Sequence, residues 1–348
     1  MDVAADERGR RSITINIFYI IIDIMMMKEF YECVVIGAGI SGISASHYLN
    51  ERGIDHVVLE RRSAIGGTWD LFKYPGIRSD SDMYSFGFSF APWKSSKVIS
   101  PGQDILKYLK HVVYEFKGGR IGKCVKLCHN VVTMDFSSVS DEWKVSFHSD
   151  ENGNVRKTIR SRFVFLTTGY YDYESPHDPY IKGEEDFEGI LIHAQKWNES
   201  IKYKGKHVAV IGSGATAATL VPSLANDGAE SVTMVQRSPS YFAAIPSNDR
   251  IFGWLRIFLG STIAFNLTRW YYIVYSQYVW FVAKRWPGLV RRKLTERLKE
   301  HVPKDFDVRT HFNPKYNPWE QVRCFSFYAL FVSPNNKYSY FAAALRNS

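Results

Sequence analysis

The stretch YECVVIGAGISGISASHYLNERGIDHVVLERR, residues 31–62, decides the fold. It begins with a short apolar strand at 33–36 and continues through a glycine-rich turn into an amphipathic helix at about 41–52. A second apolar strand follows at 57–59. Strand, turn, helix and strand in this order predict a βαβ unit of the kind that binds a dinucleotide.

The turn carries the pattern G-x-G-x-x-G at Gly37, Gly39 and Gly42. The first glycine allows a tight turn, the second lets a pyrophosphate approach the backbone, and the third lets helix and strand pack closely. The helix N-terminus offers free N–H groups to the phosphates. Glu60, 18 residues after Gly42, has the spacing of an acid that binds a ribose 2′-hydroxyl. Because a carboxylate repels a 2′-phosphate, this site is predicted to bind FAD or NAD and not NADP.

The same unit recurs in KHVAVIGSGATAATLVPSLANDGAESVTMVQRS, residues 206–238. Its fingerprint is G-x-G-x-x-A, with Gly212, Gly214 and Ala217. The position that held Glu60 is occupied here by Gln236, followed by Arg237. A guanidinium there can hold a 2′-phosphate with two hydrogen bonds, so the second site is predicted to bind NADPH.

Composition narrows the class of protein. The 348 residues suffice for two domains, and 45% hydrophobic with 23% charged residues excludes fibrous and disordered chains. The net charge of +9 favours anionic partners, which include phosphorylated cofactors. No recognition motif accompanies this charge, so no nucleic-acid binding is predicted.

The four cysteines indicate a reducing compartment and no metal site. Cys124 and Cys128 are four residues apart without a second cysteine pair or a histidine cluster, and the sequence contains no C-x-x-C. One predicted dinucleotide site excludes a 2′-phosphate and the other binds it. This pair implies that NADPH gives a hydride to a flavin. Without a redox cysteine pair, oxygen or a small molecule is the expected electron acceptor.

Two apolar segments are candidates for association with a membrane. Residues 13–27, ITINIFYIIIDIMMM, are shorter than the ~20 residues of a membrane span, which leaves an unstructured extension, a weak anchor or a signal open. Residues 257–268 and 270–283 are uncharged on either side of Arg269, and neither reaches that length. The expectation is a helical lid over the cofactor cleft or, given the basic run at 284–300, a membrane-surface helix.

Three further segments resemble one family. Between the fingerprints lies F-x-G-x-x-x-H-x-x-x-W, formed by Phe187, Gly189, His193 and Trp197. It resembles the signature of Baeyer-Villiger monooxygenases, which are class B flavoprotein monooxygenases. GGTWDLFKYPGIRSDSDMYSFGF at 66–88 and HFNPKYNPWEQ at 311–321 are similar to the subgroup of the bacterial ethionamide-activating monooxygenases. The resemblance runs from about residue 31 to 321.

The resemblance implies a reaction and a set of residues. NADPH reduces the flavin, oxygen adds at flavin C4a, and the peroxide inserts one oxygen atom into a ketone or oxidises a sulfide. His193 and Trp197 would position the linker between the domains, while Asp80 would orient a catalytic arginine, Arg323. FAD would be held by Gly37, Gly39, Gly42, Glu60, Gly66, Gly67, Thr68, Trp69 and Asp80, and NADPH by Gly212, Gly214, Ala217 and Arg237.

The sequence departs from the family in three places. Asn198 replaces the usual proline or aspartate, and Gln321-Val322-Arg323 displaces the arginine by one residue from the family's Q-R order. Family members also continue for more than a hundred residues, so a truncated FAD domain is expected. An N- or S-oxygenating flavin monooxygenase and an inactive nucleotide-binding remnant remain alternatives.

The expected architecture is an α/β fold with two Rossmann-like domains and a helical insertion, located in the cytoplasm or at a membrane. Its predicted segments are an N-terminal extension at 1–30, an FAD-binding domain at 31–172, an NADP-binding domain at 173–324 with the insertion at about 251–305, and an atypical tail at 325–348.

Overall fold

The computed structural model describes residues 27–149, 156–177, 179–242, 248–300, 302–304, 306–320 and 338–341. The expected N-terminal extension therefore lies almost wholly outside the described residues, as does most of the tail.

The strands are β1 Phe30–Ile36, β2 His56–Leu59, β3 Val125–Lys126, β4 Asn130–Ser137, β5 Glu142–His148, β6 Arg156–Leu166, β7 His207–Ile211, β8 Ser231–Val235 and β9 Tyr338–Phe341. The α-helices are α1 Ile40–Glu51, α2 Thr68–Leu71, α3 Met83–Phe86, α4 Gly102–Tyr114, α5 Arg120–Cys124, α6 Ala215–Asn226, α7 Arg250–Arg285, α8 Pro287–Lys299 and α9 Val308–His311. Short 3₁₀ turns occur at Phe116–Gly118, Glu184–Asp186 and Ala194–Lys196.

The chain divides into two compact units. The residues up to Ile65 join Lys117–Gly169 in the first, and Gly66–Phe116 join the residues from Tyr170 onward in the second. This differs from two consecutive domains that meet near residue 172. The reason is long-range packing, since Gly66–Phe116 makes its contacts with α6 and α7.

The first unit contains a six-stranded sheet in the order β3-β2-β1-β6-β5-β4. β1 pairs in parallel with β2 and with β6, whereas β5 pairs antiparallel with β4 and with β6. The four residues of β2 are all buried, as expected for a parallel strand covered on both faces. The predicted βαβ unit is therefore present as β1, α1 and β2.

One long strand joins two stretches of different character. The mostly polar RKTIRS and the apolar FVFL belong to the single strand β6. Its first half pairs with β5, and its second half pairs with β1 through Leu166 opposite Ile36. A single strand thus connects the antiparallel meander to the parallel core.

The second unit contains a parallel sheet in the order β7-β8-β9. Helix α6 buries its apolar face here, with Ala217, Leu220, Val221 and Leu224 in one core cluster. β9 comes from the tail that was expected to be atypical, and it extends this sheet beside β8.

The helical insertion is present as α7, whose 36 residues kink at Gly260, where the backbone has φ +75° and ψ +164°. The two apolar segments on either side of Arg269 join in the part of α7 that follows this kink. Arg269 lies within it and does not interrupt it. By length and composition alone, Ile251–Arg285 is the helix among the described residues that could cross a membrane. Each half alone is shorter than a membrane span, and it is their continuity across Arg269 that gives α7 its length.

Candidate dinucleotide-binding sites

The first fingerprint forms a strained turn between β1 and α1. Gly37 adopts φ +104° and donates its N–H to the carbonyl oxygen of Leu59 at 2.8 Å. A Cβ on Gly42 would lie 1.9 Å from the carbonyl oxygen of Gly37 and 2.9 Å from Oγ1 of Thr167. The first glycine therefore serves the turn, and the third serves the close packing of α1 against it.

The carboxylate of Glu60 faces this turn. Glu60 is buried at the end of β2, where Oε2 accepts a hydrogen bond of 2.7 Å from the N–H of Ala38 and Oε1 accepts one of 3.0 Å from the N–H of Arg62. No described side chain caps the N-terminus of α1. The turn thus presents free N–H groups to an anion beside a fixed acid, as a pyrophosphate followed by a ribose requires.

The second fingerprint repeats the same backbone. Gly212 has φ +128° and donates its N–H to the carbonyl oxygen of Val235 at 2.7 Å. Gly214 has φ −81° and ψ −172°, against −77° and −172° for Gly39. A Cβ on Gly212 or Gly214 would meet nothing within 4 Å, which leaves open space where a pyrophosphate would approach.

The residues that follow β8 in the second fingerprint unit differ in charge from Glu60, which follows β2 in the first. Gln236 is buried and donates from Nε2 to the carbonyl oxygen of His311 at 2.7 Å, while its buried Oε1 has no hydrogen-bond partner among the described residues. Arg237 is exposed and makes no hydrogen bond or ion pair with the described part of the chain. The guanidinium is therefore available to an anionic ligand, in contrast to the acid of the first unit.

Gly66, Gly67, Thr68 and Trp69 begin the second unit. Gly66 and Gly67 have φ +116° and +53°, and a Cβ on Gly66 would lie 2.7 Å from Cδ1 of Leu106. Thr68 shares a hydrogen bond of 3.1 Å with the hydroxyl of Tyr173, and Trp69 packs edge-on against Phe86. A position of this segment along the flavin stays a prediction, because its described contacts all lie within the second unit.

Asp80 follows a turn that is fixed to α6. A Cβ on Gly76 would lie 1.8 Å from Oγ of Ser223, so the Tyr74-Pro75-Gly76 turn touches that helix directly. Asp80 is exposed. Its charge contributes to the raised pKa of Tyr171, of which burial is the main cause. Arg323, the predicted partner of Asp80, lies outside the described residues.

Sequence reasoning missed Arg78 in the same segment. Its Nε and Nη2 atoms are buried and have no hydrogen-bond partner among the described residues, and burial lowers the pKa of the guanidinium. Buried donors without a partner are rare in folded proteins. They fit a group that brings an acceptor oxygen, such as a phosphate or a flavin carbonyl. The signal in the sequence was a cation two residues before the acid, in YPGIRSD.

The Phe187 to Trp197 motif forms a largely exposed connection that is fixed at a few points. A Cβ on Gly189 would lie 2.4 Å from the ring of Phe187, so only glycine lets the ring lie over the chain there. His193 accepts a hydrogen bond of 3.2 Å at Nδ1 from the N–H of Gln195 and thereby caps a 3₁₀ turn. Trp197 packs on the core of the second unit, with its ring 5.7 Å from that of Tyr203.

The thiols among the described residues form no disulfide. These are Cys33, Cys124 and Cys128, and burial raises the pKa of Cys33 to about 11. Cys324 lies outside the described residues. Among the residues that the structure describes, no group of three or more histidine, cysteine or acidic side chains could hold a metal ion.

Comparison with known proteins identifies relatives of this chain. The chain is 41% identical over 300 residues to the FAD-containing monooxygenase EthA of Mycobacterium tuberculosis, a match that covers 86% of this chain and 60% of EthA. The solved structure of an oxidized steroid monooxygenase bound to NADP matches with a TM-score of 0.69 at 21% identity, over 90% of this chain and 65% of that one. A closed structure of cyclohexanone monooxygenase matches at 30% identity and a TM-score of 0.51, over 63% and 40% of the two chains.

These matches confirm the resemblance to flavin-dependent monooxygenases and the α/β fold with two dinucleotide-binding units. The chain spans about 60% of the length of the curated relatives that it matches. A family model described as pyridine nucleotide-disulphide oxidoreductase matches residues 34–256, which include both fingerprints. The chain therefore belongs to the pyridine nucleotide-disulphide oxidoreductase family, and its relatives are FAD-containing monooxygenases.

Proposed function

We infer that this chain is an NADPH-dependent FAD monooxygenase that acts on a small molecule with O2. The substrate would be a ketone, which gains one oxygen atom by Baeyer-Villiger oxidation, or a sulfide. One observation carries the inference: two glycine-rich turns with the same backbone geometry are each followed by a strand, and the residues after the two strands have opposite charge. Glu60 is buried against the first turn, and Arg237 is exposed beside the second. EthA, which is named an FAD-containing monooxygenase, supports the same function.

Each turn would hold one cofactor. The N–H groups at Gly39 would bind the FAD pyrophosphate, and Glu60 would accept from the ribose hydroxyls. Those at Gly214 would bind the NADPH pyrophosphate, and Arg237 would pair with the 2′-phosphate. The bound flavin supplies the redox chemistry by accepting a hydride and activating oxygen.

The remaining site residues, Asp80, Arg323 and Arg78, would bind or orient charged groups. Asp80, on the turn that contacts α6, would orient the cation of Arg323. A cation placed where negative charge develops in the transition state contributes about 3 kcal/mol. Arg78 would donate its buried N–H groups to a cofactor oxygen, which removes the cost of leaving them without a partner. Action in the cytoplasm is part of this proposal.

The test is a visible absorption spectrum of the purified chain, recorded before and after anaerobic addition of NADPH or NADH. We expect a flavin spectrum that bleaches faster with NADPH, followed by oxygenated product when air and a ketone are supplied. Products from a thioether or an amine, but none from a ketone, would favour an N- or S-oxygenating enzyme. A colourless chain that does not take up added FAD would contradict the proposal and leave a nucleotide-binding remnant.

A further inference from the structure

The outer face of α7 carries a continuous apolar stripe. Six large side chains recur at helical spacing of three to four residues, so they share one face. Each is between 48% and 65% exposed. They are Ile263, Leu267, Trp270, Val274, Tyr278 and Phe281.

Further large apolar side chains are exposed on the N-terminal side of the kink at Gly260. Ile251, Trp254, Ile257 and Phe258 are each more than half exposed, and the rings of Trp254 and Phe258 stack with centroids 6.1 Å apart. Soluble chains rarely expose an apolar surface of this extent unless it binds something. We call these ten side chains the α7 stripe.

The opposite face of α7 is packed within the second unit. Phe265 and Thr268 are buried, and the ring of Tyr272 stacks on that of Tyr84 with centroids 5.6 Å apart. Arg269 donates from Nη1 to the carbonyl oxygens of Tyr84 at 2.6 Å and Gly87 at 2.7 Å. A helix held in this way cannot be surrounded by lipid, so α7 does not span a bilayer.

The charged side chains of α7 itself are all positive. No aspartate or glutamate occurs between Arg250 and Thr295. Lys284 and Arg285 are exposed at the C-terminal end of α7, and Lys293 is exposed on α8. Trp286 lies between the two helices with the Arg285 guanidinium 5.4 Å from its ring. Apolar and aromatic residues flanked by cations are typical of helices that lie in the headgroup region of anionic membranes.

We propose that the α7 stripe, with the cations of the α7–α8 junction, docks this chain on the surface of an anionic lipid bilayer. A second copy fits less well. A symmetric contact between two stripes would bring the cations of both copies together, and these would repel one another. Lipid phosphates neutralise the same cations. The proposal rests on this surface and not on the proposed monooxygenase activity.

The test is co-sedimentation of the full chain with vesicles of phosphatidylcholine, with and without phosphatidylglycerol. We expect binding to the anionic vesicles that weakens with salt. The variant Trp270→Glu/Val274→Glu, which places two acids on the stripe, should bind at least about tenfold more weakly. Val139→Glu is the matched control, because Val139 is 97% exposed and belongs to the first unit, whereas α7 belongs to the second.

A second variant separates the contribution of the cations to vesicle binding from that of the apolar stripe. Lys284→Glu/Arg285→Glu should remove the preference for phosphatidylglycerol and leave the melting temperature unchanged. Quenching of tryptophan fluorescence by brominated lipid should occur in the wild type and fall in Trp270→Phe. The proposal is overturned by equal sedimentation of the wild type and the stripe variant, or by no sedimentation with either vesicle. It is also overturned by a wild-type dimer that the stripe variant converts to a monomer, which would show that a second copy covers the face.

Discussion

The N–H of Ala38 donates a hydrogen bond of 2.7 Å to Oε2 of Glu60, a residue 22 positions further along the chain. This bond links the glycine-rich turn to the end of β2 in the first unit. The equivalent residue of the second unit, Gln236, instead bonds to the carbonyl oxygen of His311. The acid of the first fingerprint therefore stabilises its own turn, in addition to the ribose contact that its spacing predicts.

Replacing Glu60 should separate these two contributions. Glu60→Ala leaves the N–H of Ala38 without its acceptor, so we expect the free energy of unfolding to fall by about 1–3 kcal/mol and FAD binding to weaken. Glu60→Gln keeps an acceptor oxygen at the same position and should lose less stability. Urea unfolding and fluorescence titration with FAD measure both effects. Equal stability of the two variants would contradict a role for this bond.

The glycines of the two fingerprints should respond differently to alanine. Gly42→Ala places a methyl group against the carbonyl oxygen of Gly37, so we expect a loss of at least about 3 kcal/mol of stability. Gly214→Ala meets no neighbour and should fold normally. It should nevertheless bind NADPH more weakly, because the methyl group occupies the space of the pyrophosphate. Thermal melts and NADPH titrations check the pair, and an unfolded Gly214→Ala would contradict the open site.

Arg237 should set the preference between the two nicotinamide cofactors. Removing a charge-assisted contact with the 2′-phosphate in Arg237→Ala should weaken NADPH binding by about 1.5–3 kcal/mol and leave NADH binding unchanged. Arg309→Ala is the control, since Arg309 is also an exposed arginine of the second unit. The measurement is the rate of anaerobic flavin reduction against cofactor concentration. An unchanged preference would refute the 2′-phosphate assignment.

Stability should decrease in mild acid because of His56. Its Nδ1 bonds to the carbonyl oxygen of Ile54 and its Nε2 to the hydroxyl of Ser46, and burial lowers the pKa of the ring below its ordinary value of 6.5. The unfolded chain then binds more protons than the folded one as the pH falls through 6.5, so the free energy of unfolding declines there. His56→Gln should flatten this part of the profile. Denaturation curves between about pH 7 and pH 5 test it, and an unaltered profile in the variant would exclude His56 as the cause.

Arg269 should matter for folding although it lies in an apolar helix. Arg269→Met removes hydrogen bonds to the carbonyl oxygens of Tyr84, Ser85 and Gly87. Because these acceptors lose a charged partner, we expect the free energy of unfolding to fall by about 3 kcal/mol. Lys284→Met alters an exposed cation of the same helix and should change it by less than about 0.5 kcal/mol. Equal losses of unfolding free energy in Arg269→Met and Lys284→Met would contradict a stabilising role for the hydrogen bonds of Arg269.

Local features of the fold followed directly from the sequence. The two βαβ units lie where the glycine fingerprints and the apolar strands predict them, because turn geometry and strand burial depend on neighbouring residues. The contrast between Glu60 and Arg237 was also readable from the sequence, since Glu60 is the first residue after its strand and Arg237 the second after its own. The predicted roles of Asp80 and Arg323 stay predictions, because only the first lies among the described residues.

Contacts between distant residues were decided only by the tertiary structure. Gly76 meets Ser223 across almost 150 residues, which places the segment 66–116 in the second unit. The sequence shows two apolar segments around Arg269, each shorter than a membrane span, but it does not show that carbonyl oxygens near residue 85 receive the guanidinium between them. Sequence patterning records what each residue prefers locally, whereas the partner that satisfies a buried or charged group is chosen by the packing of the whole unit.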